Sequence, residues 1–156
     1  MASTFAFGIA CAGLTVALAA SSHSGAQAGE QRPQANHSVT VEIAGLRDSR
    51  GVVRMCMTSR ADSFPVCPPG SQTASIPARK GAVRYEFSDI PDGDYAVAVF
   101  HDANGNGKLD RSLGIPREDF AFSQNPPIRP RAPTFNECRF TLKGQATLQL
   151  KLRHIL

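Results

Sequence analysis

Short runs in which every second residue is apolar recur from residue 38 to residue 154, and a period of two leaves little room for anything but β structure. Val39, Val41 and Ile43 alternate with Thr40 and Glu42, and Gly45 and an Asp48-Ser49-Arg50-Gly51 turn close that run. Val53, Met55 and Met57 alternate with Arg54, Cys56 and Thr58, which puts Cys56 on the face away from the core. Val83, Tyr85 and Phe87 repeat the pattern, and a Pro91-Asp92-Gly93 turn leads into Tyr95–Phe100. That last run carries apolar side chains on both faces and fits a central strand covered on both sides. Leu148, Leu150 and Leu152 give a final strand with one wet face. No helical periodicity stands out, and the expected fold class is an all-β sandwich of about seven strands over residues 38–156.

What precedes that domain reads as an address. Residues 5–20 are apolar and small, and Ala26-Gln27-Ala28 follows as an A-x-A cleavage site. The run is short of the roughly 20 residues that a membrane span needs. A signal peptide is therefore expected over residues 1–28, although no Lys or Arg precedes Phe5. Residues 29–37 read as a polar, disordered lead-in, and the mature chain, without a membrane span, as periplasmic or secreted. Three cysteines remain beyond residue 28. Export permits a disulfide, and outward Cys56 with Cys67 in the Pro-rich loop 60–70 is the expected pair. Cys138 shares an alternation with Phe140 and Leu142 and reads as a buried free thiol on a strand. Residues 123–134 contain four prolines and suit an extended surface connection, with Phe135 as its candidate anchor.

The chemistry-bearing stretch is His101-Asp102-Ala103-Asn104-Gly105-Asn106-Gly107-Lys108-Leu109-Asp110. Alternate oxygen-bearing side chains followed at once by glycine open a Ca²⁺ loop, D-x-[DN]-x-[DN]-G, because they converge on one point when the chain curls. Asp102, Asn104, Asn106, the Lys108 carbonyl and Asp110 are the candidate ligands. The bidentate Glu of an EF-hand is absent, since its twelfth position is Leu113, and Glu118 or Asp119 is the candidate replacement. Weak Ca²⁺ binding is the expectation; the competing reading is a plain Asn-Gly turn between two strands. Leu113, Ile115, Phe120 and Phe122 need cover, and the segment that carries them is expected to fold back on the sheet edge.

Taken in order, several strings resemble a known bacterial secreted family, domain of unknown function 2141. They are Gly45-Leu46, Gly51-Val52-Val53-Arg54, Ile90-Pro91-Asp92-Gly93-Asp94-Tyr95-Ala96-Val97, the loop itself, Leu113-Gly114-Ile115-Pro116-Arg117-Glu118, Phe120-Ala121-Phe122-Ser123 and Pro133-Thr134-Phe135. The resemblance covers about residues 38–154 and implies an exported β-sandwich related to transthyretin-like and immunoglobulin-like modules; it implies no activity. A looser likeness joins Phe100, Asp102, Asn104, Asn106, Gly107, Asp110, Gly114 and Ile115 to the calcium-binding B-type repeats of Gram-positive adhesins. Those repeats usually add a Glu after the last Asp, where this chain has Ser112 and Leu113.

Three function classes remain to be weighed. An enzyme needs a nucleophile or an acid–base pair, and only His101 with Asp102 offers a centre, for a hydrolase. Adjacent strand residues point to opposite faces, so the two do not form a dyad, and no G-x-S-x-G string occurs. A net charge of +4 spread along the chain without a basic patch argues against nucleic acid. The reading is a non-enzymatic, calcium-stabilised binding module for an envelope or extracellular ligand; a passive structural envelope part is the alternative.

Overall fold

A computed structural model of the protein describes residues 37–155. The expected signal peptide (1–28) and the lead-in (29–37), His37 apart, lie outside the described residues. The described residues form ten strands and one short helix. They are β1 (Ser38–Leu46), β2 (Val52–Thr58), β3 (Gln72–Pro77), β4 (Gly81–Phe87), β5 (Gly93–Asp102), β6 (Arg111–Ser112), β7 (Ile115–Pro116), β8 (Phe120–Phe122), α1 (Phe135–Cys138), β9 (Phe140–Leu142) and β10 (Gln145–Lys151).

Two sheets make the all-β sandwich. One has the order β10-β1-β4, the other β3-β2-β5-β8, with β9 pairing the start of β5. The alternations place one face of each sheet in a shared core. Val39, Val41 and Ile43 of β1, Phe87 of β4 and Leu150 of β10 meet Val53, Met55 and Met57 of β2, Val97 and Val99 of β5, and Ala121 of β8. Burying such side chains stabilises by about 1.5–3 kcal/mol each. β10 runs parallel to β1, whereas the other ladders are antiparallel, so the last strand arrives by a crossover and not by a hairpin. Beyond β10 the chain changes sheet: Phe120 and Arg153 exchange both backbone hydrogen bonds.

β5 is covered on both faces, as its sequence implies. Its second face carries Ala96, over which lie Phe135 and Cys138 of α1, flanked by Phe64 and Phe122. Ser123 is buried beside them; it accepts the Val97 N–H at 2.9 Å and donates to the Cys138 carbonyl. Cys56 and Cys67 are joined, which ties the loop carrying Phe64 to β2. Cys138 is free and buried, but it ends a helical turn and not a strand; Thr134 and Glu137 cap that turn reciprocally.

Other expectations need correction. β3 was not legible, because on this edge strand only Ala74 and Ile76 are partly buried against the core and Gln72, Thr73, Ser75 and Pro77 are exposed. Leu113 and Ile115 do not fold back on the sheet. They sit at the tip of the β6–β7 hairpin, where Leu113 is fully exposed. Phe120 and Phe122 are half-buried and stack obliquely on each other.

Candidate functional site

The loop that leaves β5 is organised by one carboxylate. Asp102 ends the strand on the face opposite the core and is 0 % exposed. Its Oδ1 accepts the Asn106 N–H at 3.0 Å, and its Oδ2 accepts the Gly107 N–H at 2.9 Å. Gly107 adopts φ +79°, which lets the chain turn sharply enough to aim both amides at one side chain. Arg54 completes the arrangement: its Nε donates to Asp102 Oδ2 at 2.6 Å. Burial disfavours the charge on Asp102, but the Arg54 hydrogen bond and the Gly107 and Asn106 amides outweigh it and hold the carboxyl below its usual range.

The remaining polar side chains converge on Asp110. Asn104 Nδ2 reaches Asp110 Oδ2 at 2.7 Å, and Asn106 Nδ2 reaches Asp110 Oδ1 at 2.9 Å. The two Asn carbonyl oxygens accept from the loop's own backbone: Asn104 Oδ1 from Asn106 N–H, and Asn106 Oδ1 from Lys108 N–H. Glu118 braces the loop from outside. Its Oε1 accepts the Ala103 N–H at 3.1 Å and its Oε2 the Asp110 N–H at 3.0 Å, so one carboxylate clasps both ends. The turn before β2 closes in from below, where a Cβ on Gly51 would meet the Asp102 carbonyl oxygen at 2.0 Å.

Asp102, Asn104, Asn106 and Asp110 are thus brought together as the residue spacing implies. N–H donors occupy the positions between their oxygens: two neutral Asn amides at Asp110 and the cationic Arg54 guanidinium at Asp102. A Ca²⁺ ion needs six to eight oxygens at about 2.3–2.6 Å. Every oxygen of these four side chains accepts from an N–H donor here, and both Glu118 oxygens accept from backbone amides. Lys108 enters through its N–H. Asp119 stands apart: Arg47 Nε lies 2.9 Å from its Oδ2, and His154 Nδ1 lies 2.9 Å from its Oδ1 without hydrogen-bond geometry. Among the described residues no group of three His, Cys, Asp or Glu side chains is arranged to hold a metal ion.

His101 faces the core side, away from Asp102. Its Nε2 donates to the Arg50 carbonyl at 2.7 Å, and Asp48 Oδ1 lies 3.9 Å away. The two residues form no dyad, and the ring fastens the turn at residues 48–51 to the loop. Two features escaped the sequence. Arg54 is 48 positions from Asp102, and only the β2–β5 register, which pairs Val52 with Asp102, sets them side by side. The alternation of β2 did place Arg54 on the non-core face, which was the available signal. The Arg47–Asp119–His154 cluster depends on the sheet change after β10, and nothing local announces it.

Among the described residues no helix is long and apolar enough to cross a membrane. No curated protein and no solved structure matches the chain. Residues 41–149 match the model of one family, described as an uncharacterized protein conserved in bacteria (DUF2141), and on that span the chain belongs to this family.

Proposed function

We propose that the protein is an exported, non-catalytic binding module of the bacterial cell envelope whose 102–110 loop takes up one Ca²⁺ weakly. The observation that carries the calcium reading is the convergence of Asn104 and Asn106 on the two oxygens of Asp110, beside buried Asp102. An amide and a bound cation both satisfy such a carboxylate; the swap requires rotation of the Asn104 and Asn106 amides and displacement of the Arg54 guanidinium from Asp102. Export rests on the apolar run at residues 5–20 and on the Cys56–Cys67 bridge, which suits an oxidising compartment.

Weak affinity follows from the parts. Only two carboxylates of the loop contribute, and Arg54 competes as a resident cation for one of them. A dissociation constant of about 10⁻⁴–10⁻³ M is expected. At millimolar Ca²⁺ and the tighter end of that range, linkage adds about 1.4 kcal/mol, a rise of a few degrees in Tm. Mg²⁺ should do little, because it demands a tight octahedron and dehydrates reluctantly. A thermal melt in chelator and in several millimolar Ca²⁺ tests this. Coincident melts would favour the second reading, a metal-free loop in which Arg54 serves as the cation, and that reading also has an observation behind it in the 2.6 Å Arg54–Asp102 contact.

A further inference from the structure

The hairpin beyond the calcium-like loop carries an apolar side chain where the backbone argues for a polar one. Leu113 and Gly114 close β6–β7 as a two-residue turn with φ of +50° and +82°. Positive φ at both positions is the type I′ geometry, which favours Asn then Gly. A branched, apolar residue is disfavoured there, and Leu113 regains nothing from packing, being 101 % exposed. Ile115, beside it, is 41 % exposed. The tip is therefore a strained, outward apolar apex.

The ground around it is cationic. Lys108, Arg111 and Arg117 are exposed on the loop and hairpin. Arg117 joins Arg47 and Arg50 around a small open pocket of about 150 Å³ at the hairpin's base, which Asp48, Glu118 and Asp119 also line. The cations of this region divide in two: Arg47 is paired with Asp119 and Arg50 with Asp48, whereas Lys108, Arg111 and Arg117 have no ion-pair partner among the described residues. Asp102, Glu118 and Asp119 are buried, and half-buried Asp110 takes the Asn104 and Asn106 amides. The unpaired positive groups lie on the loop and hairpin that carry the apolar apex.

We infer that this end of the molecule docks on an anionic phospholipid bilayer, with Leu113 and Ile115 entering the interface and Lys108, Arg111 and Arg117 meeting lipid phosphates. An apolar wedge with a basic collar is the combination that binds such a surface: the acyl boundary accepts the apex, and each arginine gains from the negative surface potential. Arg stems also lie along apolar surface while their heads stay wet. No metal is involved, so the inference stands apart from the calcium reading.

The test is co-sedimentation of the full chain with vesicles of equal parts phosphatidylglycerol and phosphatidylcholine, in chelator. Wild type is compared with Leu113→Asn and with Arg111→Gln/Arg117→Gln. Any contribution from the apolar run at residues 5–20 is common to all three chains, so the differences read the hairpin. Asn suits the positive-φ site better than Leu, so Leu113→Asn should fold at least as well, and a circular dichroism melt checks it. The expected result is partitioning about tenfold weaker for Leu113→Asn and several-fold weaker for the double arginine variant. On vesicles of phosphatidylcholine alone, the arginine-dependent difference should vanish. Equal partitioning of wild type and Leu113→Asn on the anionic vesicles would overturn the inference, as would equal partitioning of wild type and the double arginine variant.

Discussion

β5 ends in two differently built regions. Near Ala96 it is covered by Phe64, Phe122, Phe135 and Cys138, a small apolar cluster whose loop is also tied down by the Cys56–Cys67 bridge. Near Asp102 the cover is polar, and three carboxylates accept loop amides or Asn side chains. The first region is ordered by area removed from water and by a covalent link, the second by charge-assisted hydrogen bonds. Apolar cover is indifferent to ions and acid. Carboxylate-centred cover is not, because each carboxylate can be protonated and, on the calcium proposal, Asp102 and Asp110 exchange N–H partners for the cation.

The largest expected effect falls on the polar region. Asp102→Ala strands two backbone amides and the Arg54 guanidinium, and a loss of about 3–4 kcal/mol is expected, read from the denaturant midpoint. The wild-type contribution should also depend on pH. The folded-state pKa of Asp102 lies below its unfolded value, so its stabilisation is complete above about pH 4 and is lost as pH falls through the depressed folded value. Asp102→Ala should lack that part of the acid slope. The matching cut in the apolar region is Phe135→Ala, at about 3 kcal/mol. That loss should be the same in chelator and in Ca²⁺; a calcium-dependent loss would break the contrast between the two regions.

Reduction of Cys56–Cys67 comes next. The half-cystines are 11 positions apart, and closing so short a loop stabilises by about 2–3 kcal/mol in the chain-entropy account. The shift should appear in the melt with reductant and leave the amide signals of residues 103–110 in place. The smallest effect concerns Cys138. Burial, with Glu137 adding to it, pushes its thiol up to about 12. Alkylating reagent at pH 8 should leave the native protein unlabelled at this position and label it in denaturant, as mass spectrometry of the digest would show.

Most of the sandwich was legible because the buried faces of β1, β2, β5 and β10 repeat every second residue, and burial there is decided by that repeat. The Cys56–Cys67 pairing followed from the same parity, since Arg54, Cys56 and Thr58 share the outer face. Parity did not extend to Cys138: Pro133 and the Thr134–Glu137 capping pair start a helical turn that the alternation of Cys138, Phe140 and Leu142 conceals. Leu113 was misplaced on another ground, that a large apolar side chain needs cover, because nothing in Leu113-Gly114 marks the two-residue turn that leaves it exposed. Within the site, spacing implied that Asp102, Asn104, Asn106 and Asp110 converge, but not the hydrogen bonds that join them, Asp102 to the Asn106 and Gly107 amides and Asn104 to Asp110. The contacts that decide its electrostatics, Arg54 to Asp102 and Arg47 to Asp119, depend on strand register and on a change of sheet, and neither is written locally.

The most direct test of the contrast between the two regions is a Ca²⁺ titration followed by ¹⁵N–¹H correlation spectra at constant ionic strength. The expected result is saturable shifts at about 10⁻⁴–10⁻³ M confined to the amides of residues 102–110 and 118, with Ala96, Phe122, Phe135 and Cys138 unmoved. A spectrum unchanged up to several millimolar Ca²⁺, or one that shifts equally in both regions, would contradict it.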